Sequence, residues 1–325
     1  MKFFSRKTTQ ATDPVVERLA LRIAEENAIN VSSDAKCASM LAEAVQAACT
    51  YVRGMVDALG EPFVLDRKRA TGSTLGPILF DNRKDALDAL RNSTRIRQVF
   101  DDPTVNECVF LLTMHRREYV IFGTEIEGDM IRRDVMQDAV EFLDHNFSAA
   151  APSLAELRDI LTQNVVLFLA DLAPEHLRRD ETMRTELQRS EEMLKAQMQT
   201  LGYALKESRP FAAPASLQSK ISEGAREMQG LLDRLSTLSA KWDPAKCLQE
   251  IREILLAPQD HVRLERVEMR VGDFGVKSKA GKFIRFHECI LGDEERLAVF
   301  LASMDRDNAL DLWPDLSPPA DRPRE

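Results

Sequence analysis

Asp134, Asp138, Glu141 and His145 come nearest, by type and spacing, to a set of residues that could do chemistry. At intervals of +4, +3 and +4 they would line one face of a helix, where carboxylates and an imidazole can ligate a metal or exchange protons. Read as a strand, the same segment turns Val140 and Phe142 to one side and separates the four polar residues. The pattern leaves residues 134–147 open between helix and strand, and the solvated face of an amphipathic helix would look identical. His287 and Cys289 lie two apart, on one side of a strand, but a zinc site asks for further ligands that no nearby spacing supplies. No metal site is therefore assigned, and no catalytic residue beyond those four candidates.

The familiar chemical motifs are absent. The chain contains no G-x-S-x-G elbow, Walker loop, Rossmann fingerprint, H-E-x-x-H or EF-hand loop, and residues 70–76 resemble a phosphate cradle without its G-K-[ST] ending. No cofactor is expected. Five cysteines (Cys37, Cys49, Cys108, Cys247 and Cys289) are odd in number, scattered and never in a C-x-x-C pair, which points to free thiols in a reducing cytoplasm. A net charge of −9 argues against broad nucleic-acid binding. The short basic runs at 67–69, 116–117 and 132–133 each have acidic neighbours and read as solvated faces. The longest apolar run, 165–170, falls far short of the ~20 residues that span a bilayer, and the N-terminus lacks the apolar core of a signal peptide.

Several elements announce themselves through their punctuation. Asp13 before Pro14 is an N-cap followed by a proline at the first helical position, and Ser153 with Glu156 is a capping box. A second apolar stripe runs from Asp34 to Leu59 and is closed by Gly60, and a third helix is expected near 82–99. Two β-rich runs, 108–114 and 119–122, flank the charged residues 115–118, which read as a hairpin turn. The helix opened at Ser153 is expected to run through Leu169, and Pro174 to end the first domain.

From Asp180 to Glu207 a charged helix carries Leu194, Met198, Leu201 and Leu205 at coiled-coil spacing, and after Pro210 and Pro214 a second helix carries Leu217 to Leu238, including Leu235. Strands are expected at 262–271, 283–291 and 296–303, with turn residues between them.

These observations predict an α+β protein, predominantly helical, with a small antiparallel sheet in each half and a long antiparallel helical hairpin. Its expected domains are residues 1–174 and 175–310, followed by a flexible tail over 311–325. The function expected from the hairpin is protein interaction or scaffolding through residues 180–240, with Leu194, Met198, Leu201, Leu205 and Leu235 in the contact and a protein partner or a homodimer as the assembly. The alternative from a different class is a metal-assisted or acid–base enzyme at residues 134–145.

Overall fold

A computed structural model describes residues 13–27, 35–65, 76–80, 83–127, 130–207, 215–237, 244–272, 275–292 and 295–316. In chain order the elements are α1 (Pro14–Glu26), α2 (Ala35–Asp57), β1 (Phe63–Val64), α3 (Gly76–Leu79), α4 (Arg83–Arg91), α5 (Thr94–Phe100), β2 (Glu107–Glu127), β3 (Met130–Ala151), α6 (Leu154–Glu207), α7 (Ala215–Thr237), α8 (Pro244–Leu256), β4 (Val262–Val271), β5 (Lys282–Leu291), β6 (Glu295–Asp305) and α9 (Arg306–Leu312). The mixed α+β class stands. Contacts divide the chain into two units, one of residues 1–43 and 168–254, the other of residues 44–167 and 255–325.

The helix starts follow the local chemistry. The Val15 amide donates to Asp13 Oδ1 at 3.0 Å, and the Glu156 amide donates to Ser153 Oγ at 3.2 Å while that hydroxyl donates to the Glu156 carboxylate. Helix α6, however, does not stop at Pro174. It runs for 54 residues with Pro174 inside it. Proline removes one ladder hydrogen bond and crowds the preceding turn, a local cost that burial of Ala173 and Leu177 on either side offsets.

In the unit containing α1, α8 and the later part of α6, the buried side chains recur at helical spacing: Val16, Leu19 and Ile23; Leu169, Ala173 and Leu177; Cys247, Ile251 and Ile254. Polar contacts cross between these helices. His176 Nδ1 lies 3.2 Å from Glu250, and the Cys247 thiol lies 4.0 Å from the amide oxygen of the buried Asn27.

The other unit is built on one six-stranded sheet in the order β3-β2-β6-β5-β4, with the short β1 running parallel to β6. Strands from the two halves of the sequence, expected as separate small sheets, thus pair with one another: β2 and β6 are in register from Glu107↔Asp305 to Met114↔Ala298. Strand β6 is buried over seven consecutive residues, because both its faces are covered. Along one face Cys108, Phe110, Leu112 and Met114 meet Phe286, Phe300 and Phe142, and this core is closed by Leu90, Ile96, Phe100, Leu312 and Trp313 from the helices. Residues 311–316, expected as the start of a tail, therefore belong to the core through Leu312, Trp313 and Leu316, while 317–325 lie outside the described residues.

The expected turn at 115–118 is not a turn. His115, Arg116, Arg117 and Glu118 lie inside β2, opposite Leu143, Phe142, Glu141 and Val140, and the chain reverses only between Glu127 and Met130. Their charges suit a strand because each guanidinium has a carboxylate at hand: Arg117 pairs with Glu141 across the ladder and Arg116 with Glu288 from β5. A further segment, 275–278, ties the far edges of the sheet together. Lys277 bridges Val271 of β4 and its amide donates to the Asp138 carbonyl of β3 at 2.8 Å, while Val276 bridges Ala139.

Candidate functional site

The open question at 134–147 resolves to strand: all four candidate residues lie on β3. Asp134 has φ 57° at an irregularity of the β2–β3 ladder, and Asp144 has φ 56° at a second one. Aspartate tolerates this left-handed backbone better than most residues, so both suit the bulges where they sit. Asp138 is exposed and contributes its carbonyl to the Lys277 amide. Glu141 is engaged with Arg117, and the His145 ring nitrogen lies 2.6 Å from the Leu79 carbonyl with its ring stacked on Phe80 at 4.5 Å. The strand thus distributes these groups among four separate environments. Among the described residues no three His, Cys, Asp or Glu side chains gather as ligands around a metal would.

His287 and Cys289 share the outward side of β5, opposite Arg266 and Leu264 of β4. Burial pushes the Cys289 thiol up to about 11, and burial together with the Arg266 charge holds His287 below the usual imidazole value of 6.5. The unfolded chain takes up a proton on His287 more readily than the folded one, so this residue leaves stability unchanged above about pH 6.5 and lowers it as the pH falls below that value. In urea titrations at stepped pH, His287→Gln should flatten the decline in unfolding midpoint just below pH 6.5, where the lowered carboxylates of Glu118 and Glu268 do not yet titrate.

The residues expected to make an interaction surface occupy α6 and α7. Leu187 and Leu194 are buried, whereas Met198, Leu201, Ile221, Met228, Leu231 and Leu235 are half-buried. The Leu205 side chain lies outside the described residues. At Gly224 of α7 a Cβ would stand 2.5 Å from the sulfur of Met198 on α6. Met193, Tyr203 and Leu232 are exposed at 63%, 67% and 43%. A 2.6 Å ion pair between Lys195 and Glu191 and a 2.9 Å hydrogen bond from Gln229 to Asp233 decorate the outer faces at helical i,i+4 spacing.

A site that sequence patterns did not single out lies between β2, β4 and β5. A cleft of about 730 Å³ is lined by Arg116, Glu118, Arg270, Lys277, Lys279 and Phe283, with Glu268 and the apolar Val267 and Met269. The buried Glu288 carboxylate accepts from Arg116 Nε at 2.5 Å, Arg116 also pairs with Glu118, and Lys277 reaches the other Glu118 oxygen at 2.6 Å. The Lys277 contact, foremost, and the Arg116 charge hold the Glu118 carboxyl below its usual range. On the far side, Arg270 donates to the Gly281 carbonyl at 3.3 Å, and Arg270 and Arg285 lie over the Phe283 ring at 5.9 and 5.6 Å. The one available signal in the sequence was Glu288, a carboxylate in an otherwise apolar alternation that demands a buried cation as partner.

Among the described residues no helix is long and apolar enough to cross a membrane. Compared with protein-family models, curated proteins and solved structures, the chain matches none of them.

Proposed function

We propose that this chain is a non-enzymatic interaction protein that works through the later part of α6 and through α7, paired as an antiparallel helical hairpin, and that its partner is a second copy of itself. The observation that carries this reading is the incomplete burial of an apolar stripe. Met198, Leu201, Ile221, Met228, Leu231 and Leu235 recur at helical spacing and keep part of their surface in water. The close approach of Gly224 to Met198 supports the pairing of the two helices, with Leu194 buried and Met198, Leu201 and Leu235 half-buried.

Two such hairpins related by a twofold axis would bury the remaining stripe in a four-helix arrangement, a self-complementary solution open to a homodimer. Cys108 and Cys247 are buried and Cys289 half-buried, each as a thiol rather than half of a disulfide, which supports a reducing compartment such as the cytoplasm. No observation favours chemistry at Asp134, Asp138, Glu141 and His145, whose side chains or backbone serve the strand and its neighbours.

The test is the mass of the particle in solution. By light scattering after size exclusion, the unaltered chain should have twice the mass of one copy, and Leu201→Glu combined with Leu235→Glu should reduce it to one copy. Both positions are half-buried, so the variant should keep its circular dichroism. An unaltered chain that stays monomeric, or a folded variant that stays dimeric, would refute the reading.

A further inference from the structure

The cleft between β2, β4 and β5 has a built character that the helical reading does not use. Its lining carries four cations, Arg116, Arg270, Lys277 and Lys279, against the carboxylates Glu118 and Glu268. That positive excess stands out on a chain of net charge −9. Glu118 is paired with Arg116 and Lys277, and Glu268 with Arg266 and Arg285, so the charges offered to an incoming anion are chiefly those of the exposed Arg270 and Lys279. Arg116 is fixed in place by the buried Glu288, whereas Arg270 and Lys279 are exposed at the opposite side. The result is a cationic cleft with one rigid end and one accessible end.

The aromatic group narrows the class of ligand. Phe283 is 47% exposed on a strand whose alternate residues are buried, and two guanidinium groups lie over its ring. A flat heterocycle can stack on such a surface while phosphate oxygens take the guanidinium and ammonium donors. The cleft volume, about 730 Å³, lies within the range of small-molecule sites. We propose that this cleft binds a phosphorylated small molecule with a flat ring, of the nucleoside di- or triphosphate class.

Isothermal titration of the full chain with ATP, inorganic tripolyphosphate and adenosine tests this directly. ATP should bind saturably at one site, more weakly as salt rises, and adenosine should bind far less well. Arg270→Gln combined with Lys279→Gln, both at exposed positions, should weaken ATP by about tenfold or more by removing two charge-assisted contacts. Phe283→Ala should weaken ATP but not tripolyphosphate. Three results would each overturn the proposal: no saturable ATP binding, ATP affinity undiminished in the folded double variant, or tripolyphosphate binding as tightly as ATP. An RNA oligomer held by these residues in the absence of ATP binding would assign the cleft to a macromolecule instead.

Discussion

Replacing Arg306 with alanine is expected to cost the sheet-bearing unit about 3–5 kcal/mol, from the loss of three charge-assisted hydrogen bonds to carbonyls and of a large buried side chain. Arg306 opens α9 directly after β6, and at 2% exposure it is among the largest fully buried side chains. Its guanidinium donates to the carbonyls of Phe100, Asp102 and Val105 at 2.8, 2.9 and 2.8 Å and lies over the Phe100 ring at 5.8 Å. The Phe100 carbonyl closes α5, where helix geometry leaves acceptors unmatched, and the other two follow it. Alanine would leave three acceptors without the fork that joins them. Arg306→Lys, with a compact ammonium in place of a planar fork, should recover only part of the loss. Urea unfolding followed by circular dichroism reads the difference, and a loss below about 1 kcal/mol for the alanine variant would contradict this account of the corner.

The second large effect is expected at Gly275. This residue has φ 76°, and a Cβ there would stand 2.2 Å from the Val140 carbonyl oxygen. An alanine therefore meets both a disfavoured backbone and a collision with a strand that cannot yield cheaply. Gly275→Ala should destabilise by about 2–4 kcal/mol, combining backbone strain with displacement of the neighbouring strand. Because the Lys277 amide donates to Asp138 and Gly272 donates to Val276 in the same segment, the variant should also exchange those amides faster than the rest of the sheet. Unchanged exchange at Lys277 would show that the link between the sheet edges does not depend on Gly275.

What could be read from sequence was what local chemistry decides. Asp13 with Pro14 and Ser153 with Glu156 mark helix starts because a cap and the amides it satisfies lie within three residues of each other. Strands β4, β5 and β6 lie close to the apolar runs separated by turn residues. Long-range partners were invisible. The run 115–118 reads as a turn until Glu288 and Glu141 are known to stand beside Arg116 and Arg117, and nothing local announces that β2 chooses β6 as its neighbour. The separate helices expected to run through Leu169 and from Asp180 are one helix with Pro174 inside it, since packing on both sides of a proline can hold a helix together.

The candidate sites show the same division. Asp134, Asp138, Glu141 and His145 form a set only on a helix, and the ladder with β2 makes the segment a strand. The cationic cleft joins Arg116 to residues more than 150 positions away, a juxtaposition created entirely by strand order.

A self-association surface on α6 and α7 would show in amide hydrogen exchange at increasing protein concentration. Protection of residues 194–204 and 219–236 should rise with concentration while that of β2, β5 and β6 does not change. Protection in the helices that is independent of concentration, or that rises in the sheet instead, would contradict it.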